Sequence, residues 1–313
     1  MKERVLQNGR LLPALEADLA RRYDVHALWR EADPQAFLAA HGGEFAGYTA
    51  SARLGIDAAM LAALPNLRVV SIVGVGLDAV DLGAARERGV AVGYTPQVLN
   101  DCVADTAMLL LLDVARRGSE ADRFVRRGGW TQSSAFPLST SVTGKRLGVV
   151  GLGRIGRAIA KRCAGFDMEI RYHNRRPVPD VSYGYEPSLE ELARWADFLV
   201  VAAAGGQESR NLVSATILDA LGPRGFLVNI ARGSVVDEAA LVAALAQGRL
   251  GGAGLDVYAD EPNVPEALLK MDNTVLLPHM SSATHETRKA MADLALANLD
   301  AFFASGTVKA SAL

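Results

Sequence analysis

Apolar runs of strand length alternate with stretches of helical period through most of the chain, which predicts an α/β protein built on largely parallel sheets. The alternation is clearest after residue 144. Lys145-Arg146-Leu147-Gly148-Val149-Val150 predicts a strand and Gly151 to Gly156 a glycine-punctuated turn, and Ile155, Ala158, Ile159 and Cys163 line one face of the helix that follows. Met168 to Tyr172 predicts the next strand and the proline-containing segment 176–187 a loop. Ser188-Leu189-Glu190-Glu191 has the form of a capping box that starts a helix, and Phe198 to Ala202 returns as a strand. Three more strands are expected over 226–230, 252–257 and 274–277. Between and after them lie a helix over 236–246, stopped by Gly248, and a long amphipathic helix over 284–303.

The first hundred residues repeat the pattern more weakly, with strands near 5–7, 69–73 and 90–93. Thr95-Pro96 closes this section, and 100–117 reads as one long apolar helix, so a domain boundary falls near residue 98. The last helix is expected to cross back to the first domain. The division is then 1–98 with 283–313 for one, discontinuous domain and 99–282 for the other. Both are expected to be doubly wound parallel-sheet domains.

Length and charge narrow the picture. A chain of 313 residues suits two domains with real cores. With 33 Lys plus Arg against 35 Asp plus Glu, a net charge of -2 leaves no basic footprint, so nucleic acid and anionic membrane surfaces are poor partners. Cys102 and Cys163 sit in neither CxxC nor His-flanked spacing, so neither a disulfide framework nor a structural metal site is expected. The opening Met1-Lys2-Glu3-Arg4-Val5-Leu6 resembles no secretion signal, and no window holds about 18 uncharged apolar residues. The expectation is a cytoplasmic protein without an anchor.

Gly151-Leu152-Gly153-Arg154-Ile155-Gly156 is a GxGxxG turn between strand and helix. Its first glycine permits the turn, its second lets a pyrophosphate approach backbone N–H groups at the helix start, and its third lets helix and strand pack closely. Dinucleotide binding at Leu152, Gly153, Arg154 and Ile155 is the reading set against a purely structural turn. An NAD-binding unit carries an acid about 20 residues on, for the ribose hydroxyls. This chain offers His173-Asn174-Arg175-Arg176 there. Without the carboxylate nothing repels a 2′-phosphate, while Asn174, Arg175 and Arg176 supply donors, so NADPH is expected over NADH. The alternative is a solvated arginine pair.

Three strands end near residues of chemical potential: Arg232 after 226–230, Glu261 after 252–257, and His279 after 274–277. Ligands of doubly wound sheets sit beyond the carboxyl ends of the strands, where these side chains are expected to converge. Individually they read as an ion-pair partner, a surface acid and a buried histidine. Together they suit reduction of a 2-keto acid, which needs a cation for the substrate carboxylate and a proton donor at the carbonyl. Arg232 and His279 supply those, and a carboxylate at Glu261 would orient the imidazole and favour its charged form.

These residues, with Gly74-Val75-Gly76-Leu77-Asp78, Leu227-Val228-Asn229-Ile230-Ala231-Arg232-Gly233, Gly254-Leu255-Asp256-Val257-Tyr258, Glu261-Pro262 and Pro278-His279, resemble the D-isomer-specific 2-hydroxyacid dehydrogenase family over nearly the whole chain. Asn174-Arg175-Arg176 and Ala204-Gly205-Gly206 are similar to its NADP-preferring glyoxylate/hydroxypyruvate and hydroxyphenylpyruvate reductases. The resemblance implies a Rossmann cofactor domain inserted in a discontinuous flavodoxin-like substrate domain, and a homodimer. It implies Arg232 and Glu261 as active-site residues and His279 as proton donor. Backbone N–H groups of Val75 and Gly76 would hold the substrate carboxylate. Asp256 would accept the nicotinamide carboxamide, unless it caps a loop, and Ile230-Ala231-Arg232 would run beside that ring. Thr106 would touch the cofactor or simply pack its helix.

Three positions depart from the family's pattern. Tyr94-Thr95-Pro96 replaces Asn-Thr-Pro, Ser281-Ser282 replaces Gly-Ser or Ala-Ser, and Ser133 stands where one branch lends a tryptophan to its partner, although Trp130 is near. Two other functions compete with the small-keto-acid reductase: a reductase of arylpyruvates, and a dinucleotide-sensing corepressor that keeps the fold without turnover.

Overall fold

The computed structural model describes residues 2–313. By its internal contacts the chain divides into two units, one reaching as far as Leu99 and rejoined by Ala283–Leu313, the other Asn100–Ser282. The first unit holds strands β1 (Arg4–Asn8), β2 (Asp24–Ala27), β3 (Gly47–Ser51), β4 (Val69–Val73) and β5 (Ala91–Gly93). They form one parallel sheet in the order β2-β1-β3-β4-β5. That order belongs to the flavodoxin-like version of the doubly wound fold. Adjacent residues of one strand enter opposite cores: Leu6 and Val70 pack with Tyr48 and Ile72, while Val5 and Val69 pack with Leu19, Leu296 and Leu299. Both faces are therefore covered, as the period of two in a strand requires of an internal parallel sheet.

Strands β2 and β3 lie outside the expected set. β3, Gly-Tyr-Thr-Ala-Ser, contains no run of large aliphatic residues, yet it lies between β1 and β4 and is almost wholly buried. Small residues suffice there because Tyr48 fills the space, donating its hydroxyl to the Gly55 carbonyl at 2.7 Å and accepting from Asn8 Nδ2 at 2.9 Å. The C-terminal helix runs over His285–Ser305, with Thr284 accepting from the Thr287 N–H and Gly306 ending it in the left-handed region. It is tied to the first sheet by two buried polar groups. Ser71 Oγ donates to the Ala295 carbonyl at 2.8 Å, and Asn298 Nδ2 donates to the Tyr94 carbonyl at 3.0 Å.

The second unit holds β6 (Arg146–Val150), β7 (Glu169–His173), β8 (Gly184–Tyr185), β9 (Phe198–Val201), β10 (Phe226–Asn229), β11 (Gly252–Leu255) and β12 (Thr274–Leu276). They pair in parallel in the order β12-β11-β10-β9-β6-β7-β8. The direction of winding reverses beside β6, the switch point at which such sheets open a crevice. The short β8 falls in the segment expected as a loop, held by two register pairs to β7. Helix ends also differ from expectation for local reasons. Asp237 caps the Ala240 N–H at 3.0 Å, so the helix expected from 236 begins at Glu238. Left-handed Arg117 ends the helix Asn100–Arg116 and starts another, Gly118–Arg126.

Candidate active site

Because β10, β11 and β12 are parallel neighbours in register, the loops that follow them leave the same edge of the sheet. His279 stands three residues beyond β12 and Glu261 in the loop beyond β11. Nδ1 of His279 lies 2.7 Å from Oε2 of Glu261, whose Oε1 accepts the Tyr258 N–H at 3.2 Å. A carboxylate at that nitrogen makes Nδ1 the protonated one and leaves Nε2 as the nitrogen for exchange. The histidine side chain is 47% exposed and the glutamate 20%, so the pair is partly desolvated with the imidazole outermost. His279 also has φ 51°, in the left-handed region where residues with a Cβ are uncommon.

That backbone is held from below by Asp256, which is 0% exposed. Its Oδ1 accepts the Met280 N–H at 2.7 Å, and its Oδ2 accepts the Ser281 N–H at 2.9 Å and the Ser281 hydroxyl. Asp256 thus caps this loop, with both oxygens turned to the segment that carries His279. A second tie comes from Tyr258, whose hydroxyl donates to the Leu277 carbonyl at 3.0 Å. Burial, with the charges of Asp256 and Glu261 adding to it, pushes this phenol up to about 12, so it remains a donor at neutral pH.

Arg232 follows β10, and a buried asparagine shapes its loop. Asn229 accepts the Ala231 N–H at 3.0 Å and donates to the Arg232 carbonyl at 3.0 Å. Ile230 donates to the Val201 carbonyl at 3.3 Å, and Arg232 Nη1 lies 2.6 Å from the Ala231 carbonyl. The backbone run Ile230-Ala231-Arg232 is thus fixed by its own neighbours. The sequence assigns no role to Asn229, Tyr258 or Ser281, because their role depends on which loops adjoin.

At the switch point, Gly151 has φ +95°, and a Cβ there would lie 2.6 Å from the Ala203 backbone. A Cβ on Gly156 would lie 2.3 Å from the Gly151 carbonyl, so turn and helix meet at glycine contact. The helix Arg154–Ala164 has Gly153 as its N-cap with no side chain capping it, and a Cβ on Gly153 would meet nothing within 4 Å. No side chain of the N-cap takes the first-turn N–H groups at this helix start, where Arg154 and Ile155 lie, and an uncapped helix start of this kind suits a phosphate. Leu152 is different: its N–H is taken by Asn174 Oδ1 at 2.7 Å. Asn174 thereby keeps its amide nitrogen as a donor beside Arg175 and Arg176, both exposed. This donor set and the open glycine cradle fit a dinucleotide.

Val75 and Gly76 belong to the other unit, in the loop after β4. Thr95 anchors that loop, accepting the Gly74 N–H at 2.8 Å and donating its own N–H to the Gly74 carbonyl at 2.9 Å. Thr106 is buried, and its hydroxyl donates to the Cys102 carbonyl at 3.2 Å, one turn back in the same helix. Ser133 is exposed beside Thr131, and Trp130 is exposed as well. Both cysteines are free thiols. Among the described residues no cluster of His, Cys, Asp and Glu could hold a metal ion, and no helix is long and apolar enough to cross a membrane.

Comparison with known proteins adds three findings. Residues 108–281 match the family model described as D-isomer specific 2-hydroxyacid dehydrogenase, NAD binding domain. The chain is 46% identical over 289 residues to a glyoxylate/hydroxypyruvate reductase of Arabidopsis thaliana and 47% identical over 289 residues to a hydroxyphenylpyruvate reductase of Plectranthus scutellarioides, covering 92% of each chain in both pairs. It is similar in structure to an NADPH-dependent glyoxylate/hydroxypyruvate reductase of Sinorhizobium meliloti solved with NADP and malonate, with a TM-score of 0.94, 42% identity, and coverage of 99% of this chain and 97% of that one.

Proposed function

The chain belongs to the D-isomer specific 2-hydroxyacid dehydrogenase family and is an oxidoreductase with an NAD(P)-binding domain, and on that premise we propose that it reduces small 2-keto acids, glyoxylate and hydroxypyruvate first, to D-2-hydroxy acids with NADPH preferred over NADH. The observation that carries the reading is the 2.7 Å contact between His279 and Glu261 at the strand edge where Arg232 also emerges. When bound, the reduced dinucleotide supplies the hydride for the keto carbon. His279 gives its Nε2 proton to the keto oxygen, a step in which a positioned acid contributes about 10²- to 10⁴-fold. Glu261 fixes the ring and balances its charge. Arg232 takes the substrate carboxylate with its planar fork. Arg154 and Ile155 hold the pyrophosphate by backbone N–H groups, and Asn174, Arg175 and Arg176 take the 2′-phosphate.

The relative named hydroxyphenylpyruvate reductase, at 47% identity, supports arylpyruvates as a second substrate class. A homodimer in the cytoplasm completes the reading, and size-exclusion chromatography of the purified chain tests the first part of it. The deciding experiment is steady-state turnover with glyoxylate, hydroxypyruvate and 4-hydroxyphenylpyruvate, each with NADPH and NADH. Oxidation of NADPH by at least one keto acid is expected, with the two small acids ahead. A chain that binds cofactor yet turns over none of them is a sensor of the corepressor kind, and the reductase reading falls.

A further inference from the structure

The run that ends β7, His173-Asn174-Arg175-Arg176, holds no acid. A carboxylate nevertheless reaches it from elsewhere. Glu208, in the tight turn Gln207–Ser209 that follows β9, is ion-paired with Arg175. The two strands are not neighbours, because the sheet runs β9-β6-β7. The pair therefore bridges two loops on either side of β6, at the edge where Gly151–Gly153 lead into the helix Arg154–Ala164. In a doubly wound dinucleotide unit, this edge is where an acid holds the ribose hydroxyls or an arginine accommodates a 2′-phosphate. Here both groups are present, each holding the other.

We propose that Glu208 and Arg175 form a cofactor selector with two positions. Glu208 stands in for the missing strand-end acid and accepts the adenosine ribose 2′-hydroxyl of NADH. Arg175, once released, takes the 2′-phosphate of NADPH. The proposal rests on the dinucleotide reading above and adds to it Glu208, two residues beyond Ala204-Gly205-Gly206 and outside that motif. Its physical basis is the exposure of the pair. The side chains are 85% and 79% exposed, so their bond contributes little to folding and exchanges readily for a bond to a ligand. A 2′-phosphate that gains Arg175 also meets the Glu208 carboxylate, and that repulsion is screened by solvent to a modest factor. Glu208 thus holds back NADPH while helping NADH, and Arg175 does the opposite.

Glu208→Gln keeps the shape and removes the charge, and the exposed site makes misfolding no issue. Dissociation constants of NADP⁺ and NAD⁺, measured by titration calorimetry at low salt, read the effect without turnover. The variant is expected to bind NADP⁺ about two- to tenfold more tightly and NAD⁺ more weakly by a similar factor. Arg175→Ala should move both constants in the opposite sense. If Glu208→Gln shifts the two cofactors by the same factor, or shifts neither, the selector is overturned while the dinucleotide reading stands. If the wild-type chain binds neither cofactor, both fall together.

Discussion

At the N-terminal ends of β6 and β9, Arg146 and Asp197 hold each other. Arg146 Nε and Nη2 donate to the two carboxylate oxygens at 3.1 and 2.9 Å, and the Arg146 N–H adds a third bond at 2.9 Å. The Arg146 hydrogen bonds hold the Asp197 carboxyl below its usual range, against the opposing effect of burial. Trp195 packs beside the guanidinium groups of Arg146 and Arg171. At the C-terminal end of the same sheet, polar side chains spend their bonds differently. Asp256, Asn229 and Asn174 each turn to backbone groups of a loop: Met280 and Ser281, Ala231 and Arg232, and Leu152. One end pairs charge with charge and closes. The other uses its buried polar groups to hold loops, and what those loops carry is left for a ligand. The same sheet geometry serves both, and the difference lies in what the charge pairs rest on: Arg146 and Asp197 close one end directly, whereas His279–Glu261 and Arg175–Glu208 sit among loops that Asp256, Asn229 and Asn174 hold by their backbone.

The contrast predicts a graded set of effects. His279→Ala, at the presenting end, should lower keto-acid reduction by at least about a hundredfold while cofactor binding survives, because general acid catalysis contributes 10²- to 10⁴-fold. Turnover near the wild-type level would remove His279 from proton transfer and with it the functional half of the contrast. Arg175→Ala should weaken NADPH about ten- to hundredfold, since a bond to a charged group contributes about 1.5–3 kcal/mol, and, by releasing Glu208, should tighten NADH by the smaller factor of about two to ten. Measured KM values that rise equally for both cofactors would make Arg175 a general surface charge.

Ser281→Ala deletes one of three donors to a buried carboxylate. It should lower unfolding free energy by about 1.5–3 kcal/mol, read by urea denaturation. No loss would mean that Asp256 holds the loop through the two N–H groups alone. The smallest effect belongs to the closed end. Asp197→Asn should cost about 1 kcal/mol or less at neutral pH, as partly exposed ion pairs do. Because the folded-state carboxyl titrates below the ordinary 3.8, its contribution is present above that value and lost as pH falls beneath it. Wild type and variant should therefore converge in stability below about pH 4, with keto-acid turnover at neutral pH the same in both. A turnover defect in Asp197→Asn rivalling that of His279→Ala would dissolve the contrast.

What the sequence displays and what it conceals follow the same division. β6 and its glycine turn are legible because an apolar run, a fixed glycine spacing and a helical face adjoin in the chain. β3 is not, since Gly47 to Ser51 contains one aromatic residue among small ones, and only its place between β1 and β4 makes it a strand. His279 and Glu261 are conspicuous because each follows an apolar strand. Their contact needs β11 and β12 to be neighbours, which strand pairing decides and no local pattern announces. Glu208 is still further from view: it meets Arg175 across an intervening strand, 33 residues along the chain. Pairing between distant loops has no period, so reading by period passes over it.

The left-handed backbone of His279 bears on how this position tolerates change. Two filters act there at once. Backbone sterics rank glycine and asparagine first and put β-branched residues last, by about 1–2 kcal/mol, whereas the proton transfer proposed for His279 would rank histidine alone at the top. A saturation scan at 279 would order the twenty residues one way by folding stability and another by turnover. Drift toward a more robust protein would then run through the very substitutions that silence it, which makes histidine at this site a marker of selection for activity.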